Sequence, residues 1–360
     1  MFEVKSYRGS YAVQSISDIA EIARSLESER RSVHLIIDTR VQELHGALLE
    51  PIVRFAHSAQ TITATESNKD FDQMGAVIER LLEHGVRRDH LLLAVGGGII
   101  EDITCFVASV LFRGVAWDFL PTTLLAQADS CIGSKSSINF GKAKNLIGTF
   151  FPPRRVWMHA PFLKTLTNAE MLSGLGEILK VHILDGPTSY DRIADVYDRL
   201  LTDPAKLQNA TIESLKIKRR FIETDEFDTG VRNLLNYGHS FGHAIEAATD
   251  FKIPHGIAIT IGMDVANWIA RERGLLSAKT YDHLHRGLKA NFGDASGVTI
   301  PLDAFFAALS KDKKNTSQSL QLILLHEADT GEDWAAEKTA IALDDRFRSE
   351  CAAYFKKETA

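Results

Sequence analysis

Apolar residues recur along the first half of the chain in short uninterrupted runs, separated by stretches with helical spacing. Val33-His34-Leu35-Ile36-Ile37 closes on Asp38 and reads as a buried strand; residues 61–64 read as a second; residues 90–95 read as a third that runs into Gly96, Gly97 and Gly98. Met74, Val77, Ile78, Leu81 and Leu82 share one face of a helix predicted over 71–83. Strands alternating with amphipathic helices predict an α/β, Rossmann-like parallel sheet that meets its ligands at the carboxyl ends of its strands. From about Pro161 onward the period is helical: 205–223, 240–248 and 257–273 read as helices, and 334–357 as a terminal amphipathic helix. Pro152, Pro153 and Pro161 fall at the change of character, so the expected division is an α/β domain over 1–160 and a mainly α-helical domain over 161–360.

Charge narrows the function. The net charge of -6 offers no broad basic field for nucleic acid, so an anionic ligand must be met by a local cluster of Lys and Arg. No segment approaches the roughly 18 uncharged apolar residues of a membrane helix, and the N-terminal stretch lacks the basic and apolar regions of a signal peptide. Cys105, Cys131 and Cys351 are widely spaced and form no CxxC, which predicts reduced thiols in a cytoplasmic protein and no thiolate zinc site.

Three constellations carry chemistry. The first is AVGGGIIED, a strand, a glycine turn and a helix start, suited to a pyrophosphate through close backbone approach and free helix N–H groups. It is not GxGxxG, and a tight turn without ligand is the competing reading. Asp38 at its strand end suits a ribose, or equally a helix cap. The second is SKSSINFGKAKN, where Lys135, Lys142 and Lys144 gather with Asn139 and Asn145 near Arg113 and Asp129. It suits a phosphate-bearing substrate, or a solvated loop. The third is NYGHSFGHAIE. His239 and His243 stand at i and i+4, His255 follows in PHG, and Glu177 lies in GLGEILK near Lys180. A His/His/Glu set with an open position is what a catalytic zinc needs, and structural histidines are the competitor.

In this order, the blocks GGGIIED, RGVAWDFLPTTLLAQADS, KSSIN with KNLIGTF, GLGEILK, RNLLNYGHSFGHAIE, PHG and KDKKN resemble 3-dehydroquinate synthase and its sugar phosphate cyclase relatives over roughly residues 30–330. Iron-type glycerol dehydrogenases share the architecture but lack the TTLLAQADS and RNLLNYGH text. The resemblance implies metal ligands at Glu177, His239 and His255, and moves His243 to the substrate. It adds substrate contacts at Asp129, Lys135, Asn145, Lys180, Lys218, Arg232 and Asn236, with Lys314 (beside Lys313) as the last lysine. Arg113 is implied to reach the phosphate of a neighbouring subunit, hence a homodimer. Asp38, Glu66, Lys69, Gly97, Gly98, Asp102, Thr122 and Thr123 fall at dinucleotide positions, and Lys144 is grouped with them.

The implied reaction converts 3-deoxy-D-arabino-heptulosonate 7-phosphate to 3-dehydroquinate and phosphate. It proceeds through transient oxidation by NAD, phosphate elimination, reduction and an intramolecular aldol closure, with zinc or cobalt as Lewis acid. Four departures stand out. The family writes GGK and T-x-V-N where this chain has Gly133-Ser134-Lys135-Ser136-Ser137-Ile138-Asn139. Phe140 replaces a histidine, Ile257 replaces the acid of HGEAV, and Glu101 replaces a glycine. The alternatives are therefore a cyclase acting on sedoheptulose 7-phosphate or glucose 6-phosphate, a metal-dependent alcohol dehydrogenase with net NADH formation, or a noncatalytic binder. Lys218 and Arg232 stand where the family binds a carboxylate, which favours the heptulosonate.

Overall fold

The structure, a computed structural model, describes residues 2–141, 143–310, 319–328 and 333–359. The chain divides into two compact units: Met1–Leu166 with Arg219–Phe227, and Thr167–Lys218 with Asp228–Ala360.

The first unit begins with an antiparallel hairpin, β1 (Phe2–Ser6) and β2 (Gly9–Ser15). It continues with α1 (Ala20–Ser28), β3 (Val33–Asp38), α2 (Thr39–Phe55), β4 (Ser58–Ile62), α3 (Phe71–Glu83), β5 (Leu91–Gly96), α4 (Gly98–Val110) and β6 (Ala116–Pro121). A second hairpin, β7 (Lys135–Phe140) and β8 (Ala143–Phe150), precedes β9 (Arg155–Met158). The main sheet has the order β1-β2-β9-β6-β5-β3-β4, parallel in every pairing except that of β1 with β2. β5 is buried along its whole length and β3 along all but its last residue, as expected of strands covered on both faces. The second strand lies at 58–62 rather than 61–64. As an edge strand it carries little apolar signal of its own, and its bounds come from parallel pairing with β3, from His34↔Ser58 to Asp38↔Ile62. The lysine-rich segment is the β7–β8 hairpin and not an open loop.

The second unit is built on α5 (Asn168–Leu184), α6 (Pro187–Ala194), α7 (Tyr197–Leu200), α8 (Pro204–Thr224, whose last residues belong to the first unit), α9 (His239–Ala248), α10 (His255–Glu272), α11 (Ala278–Lys289) and α12 (Leu302–Ser310). An antiparallel pair, β10 (Ser319–Glu327) and β11 (Trp334–Ala342), precedes α13 (Asp345–Thr359). The helix expected over 334–357 is thus a strand followed by a helix. Ala, Glu and Lys in 334–342 favour helix locally, but nine residue pairs with β10 override that propensity.

α5 and α10 are buried on every face from Met171 to Ile183 and from Gly256 to Ala270, so both are core helices rather than amphipathic ones. They touch backbone to backbone: a Cβ on Gly256 would overlap the Ser173 carbonyl of α5. No helix among the described residues is long and apolar enough to cross a membrane. All three cysteines are free and buried.

Candidate active site

α5 starts at a capping box. Thr167 accepts from the Glu170 N–H, and the Glu170 carboxylate accepts from the Thr167 N–H and hydroxyl. The helix carries Glu177 and Lys180 into the core, each 2% exposed. His239 is the first residue of α9, entered through Gly238 in the left-handed region at φ 77°. Only glycine suits that turn, since a Cβ there would also press on Met263 and the Ile259 carbonyl. His255 is the first residue of α10 and follows Pro254. Glu177 Oε1 lies 3.9 Å from His239 Nε2 and 3.8 Å from His255 Nε2. The three ligand atoms lie within 4.8 Å of one another.

A zinc bound at roughly 2.0–2.2 Å from each donor needs them a few tenths of an ångström closer, within reach of side-chain adjustment. Glu177 Oε1 is buried and accepts no hydrogen bond, while Oε2 lies against the Lys180 ammonium. An orphaned carboxylate oxygen facing two imidazole nitrogens fits a divalent cation.

Both imidazoles are aimed by their other nitrogen. His239 Nδ1 meets the Tyr237 carbonyl at 3.2 Å, and His255 Nδ1 meets both Glu246 oxygens at 3.3 Å. These acceptors place the proton on Nδ1 and leave Nε2 to a metal. Burial first, then the charges of Lys180 and the neighbouring histidines, holds His239 well below the usual imidazole range. Burial pulls His255 down too, but the hydrogen bond and charge of Glu246, aided by Glu177, leave it raised. Ile257, where the family text has an acid, is buried, and the carboxylate that meets His255 is Glu246 from α9. His243 is exposed and does not join His239 in a candidate metal group; its grouping is with Glu246 and His255. The i, i+4 histidine pair is therefore not the ligand pair that the geometry offers.

The same unit buries Lys218 at 6% exposure and Arg232 at 5%. Asn236 donates from Nδ2 to the Asn233 carbonyl at 3.0 Å. Lys313 and Lys314 lie outside the described residues, as does Lys142.

In the first unit, none of Gly96, Gly97 and Gly98 adopts positive φ. A Cβ on Gly96 would press on Ile100 and one on Gly97 on Thr123, so close packing explains those two. α4 begins with no side-chain cap, which leaves its first N–H groups available to an anion. Asp38 caps α2, accepting from the Arg40 N–H at 3.0 Å, and its pKa is raised, chiefly by burial. Thr122 is buried with no hydrogen bond to Oγ1, and Thr123 Oγ1 accepts from the Ala126 N–H.

Four predicted dinucleotide residues meet at the β7–β8 hairpin. Lys69 pairs with Asp102 at 2.7 Å, and Ser137 donates to Asp102 from N–H and hydroxyl. Asn139 Nδ2 donates to Glu66 at 2.8 Å, with Lys144 at 4.0 Å from the same carboxylate. Burial, opposed by Lys69, leaves the Asp102 carboxyl raised. Asn145, at φ 53°, donates its N–H to Asn139 Oδ1. Asp129 sits in a π-helical turn, Ala126–Ser130, a form frequent at functional sites. Glu101 holds that turn by accepting from Ser130 Oγ at 2.5 Å. Arg113, at φ 63°, ends a short turn after α4. Phe140 is 49% exposed and packs edge-on against Phe71.

Family models described as the 3-dehydroquinate synthase N-terminal and C-terminal domains match residues 59–173 and 174–315. The chain belongs to the 3-dehydroquinate synthase family. The 3-dehydroquinate synthase of Alkaliphilus oremlandii (strain OhILAs) is 32% identical over 319 residues, 87% of each chain. That of Helicobacter pylori (strain G27) is 36% identical over 294 residues, 81% of this chain and 84% of the relative. Two solved structures share the fold of this synthase-family chain. One is 2-deoxy-scyllo-inosose synthase complexed with carbaglucose-6-phosphate, NAD+ and Co2+ (TM-score 0.80, 22% identity, 97% and 98% of the two chains). The other is 2-epi-5-epi-valiolone synthase from Streptomyces hygroscopicus subsp. jinggangensis 5008 with NAD+ and Zn2+ bound (TM-score 0.79, 24% identity, 96% and 97%).

Sequence reasoning missed Glu246 and Tyr237. For Glu246 a signal existed: it lies seven residues after His239 and three after His243, on the same helical face. Tyr237 acts through its carbonyl, which side-chain identity does not report.

Proposed function

We propose that this protein is a 3-dehydroquinate synthase that converts 3-deoxy-D-arabino-heptulosonate 7-phosphate to 3-dehydroquinate and phosphate. The carrying observation is the convergence of His239 Nε2 and His255 Nε2 on the orphaned Glu177 Oε1 in a chain of this family. Glu177, His239 and His255 would hold zinc or cobalt. The α4 N-terminus, Asp38, Glu66, Lys69, Asp102, Thr122, Thr123 and Lys144 would serve NAD.

The bound metal supplies Lewis-acid polarisation of two vicinal hydroxyls, and NAD supplies a reversible hydride acceptor. A ketone at one carbinol would acidify the neighbouring C–H, so that phosphate would leave by elimination with its own oxygen taking the proton. With that ketone reduced again, ring opening and aldol closure of the substrate would follow without net redox.

Within the second unit, the buried Arg232 and Lys218 are assigned to the substrate carboxylate, which a planar guanidinium can bind in a bidentate fashion. Lys180, Asn236, His243 and Lys314 orient the sugar. In the first unit, Lys135, Asn145 and Asp129 are substrate contacts. Arg113 is assigned the phosphate of a second subunit, which makes the working form a homodimer. The buried free thiols suit a reducing, cytoplasmic setting.

The test is phosphate release by purified enzyme with NAD and zinc or cobalt, run on the heptulosonate, sedoheptulose 7-phosphate and glucose 6-phosphate. Release from the heptulosonate alone, without NADH accumulation, is expected. Release from either other sugar alone would make the chain a neighbouring cyclase and remove the carboxylate role of Arg232 and Lys218. Steady NADH accumulation would make it a dehydrogenase.

A further inference from the structure

Ser134 stands where the family usually has glycine, and its backbone needs what glycine gives: φ is 65°. A side chain in that region is strained. The chain continues directly from Ser134 into β7 at Lys135, so whatever holds Ser134 also sets the direction in which Lys135 leaves the backbone. What holds it is Glu226, from the segment Arg219–Phe227 that belongs to the first unit. Glu226 Oε1 accepts from the Ser134 hydroxyl at 2.8 Å, and Oε2 accepts from the Tyr7 N–H at 2.7 Å. Around this carboxylate the aromatic residues close up. Tyr7 donates its hydroxyl to the Phe150 carbonyl at 2.7 Å, and Phe227 packs on both Tyr7 and Phe150 at 5.5 and 5.2 Å. The Lys135 ammonium stands 6.0 Å over the Phe150 ring. The Ser134 carbonyl accepts from the Phe151 N–H, which closes the turn onto β8.

We propose that Glu226 is a positioning residue for Lys135. By holding the left-handed Ser134 turn through its hydroxyl, Glu226 presents the Lys135 ammonium to the sugar phosphate. The function given to Lys135 rests on the synthase reading above; the link from Glu226 through Ser134 does not. In this chain a side-chain hydrogen bond does the work that a glycine's freedom does elsewhere.

Glu226→Ala removes the acceptor used by both the Ser134 hydroxyl and the Tyr7 N–H. The expected result is a KM for the heptulosonate raised about tenfold with kcat within about twofold, the signature of lost binding rather than lost chemistry. Ser134→Ala, which keeps the strained backbone and removes its anchor, should reproduce that rise. Ser134→Gly should be nearly silent, and in the Glu226→Ala background it should return KM towards that of the unaltered enzyme, because glycine needs no anchor.

A merely structural role predicts additive losses and no such rescue in the double-mutant cycle. Additivity, or an unchanged KM in Glu226→Ala, would overturn the proposal. If the unaltered enzyme releases phosphate from none of the three sugars, the synthase reading falls by itself. The link is then read from the rate of tryptic cleavage after Lys135, mapped by mass spectrometry. Faster cleavage in Glu226→Ala that Ser134→Gly reverses upholds it, and equal rates reject it.

Discussion

Both carboxylate oxygens of Glu246 lie 3.3 Å from His255 Nδ1. Because α9 and α10 each begin at a proposed ligand, this contact ties the far end of α9 to the start of α10 and fixes which nitrogen of His255 faces Glu177. Partners of this kind typically govern metal affinity by about 10–100-fold. Glu246→Ala should weaken zinc or cobalt binding by about that factor in equilibrium dialysis. The apoprotein's thermal unfolding should move far less. A zinc affinity equal to that of the unaltered protein would show that Glu246 does not orient His255.

Gly256 lies against the Ser173 carbonyl, and the contact sets the spacing of α5 and α10 on which the Glu177–His255 approach depends. Gly256→Ala should lower stability by about 3 kcal/mol or more, since rigid backbone has to move. Metal affinity should fall in the same variant. Urea unfolding checks the first claim and dialysis the second; a stable variant with normal affinity would mean that the helices separate without disturbing the ligands.

The buried Lys69 and the part-buried Asp102 form an ion pair at the β7–β8 hairpin. Lys69→Met leaves the part-buried Asp102 carboxylate with only its Ser137 donors and should cost about 1–3 kcal/mol in urea unfolding. Adding Asp102→Asn should restore a large part of that loss. Equal stabilities of the single and double variants would refute the coupling.

His34 is fully buried between Ser58 Oγ at 2.7 Å and His90 Nδ1 at 2.9 Å. Burial first, then the charges of His90, His57 and His84, lowers its pKa to about 4. Between that value and the ordinary imidazole value of about 6.5, the unfolded chain takes a proton that the folded chain does not. The contribution is therefore complete above about pH 6.5 and is lost as pH falls towards 4, amounting to about 3 kcal/mol. Thermal unfolding followed across that window should fall more steeply with acidification for the unaltered protein than for His34→Asn. Parallel curves would show that His34 does not carry this dependence.

Local pattern was enough where one segment settles its own structure. The apolar runs of β3 and β5, the helical face of α3, and the residue types of the Glu177/His239/His255 set were all legible, because burial and donor chemistry are written residue by residue. Tertiary structure decided the rest. β11 is a strand because β10 lies beside it, although its own residues favour helix. Segment Arg219–Phe227 belongs to the first unit although its chain neighbours on both sides belong to the second. His243 rather than His239 is displaced from the metal group because backbone-close packing of α5, α9 and α10 chooses which imidazole meets Glu177. Sequence by itself named the chemical groups; only the packing of distant segments decided which of them face one another, since spacing along a helix fixes a residue's face and not what is brought against it.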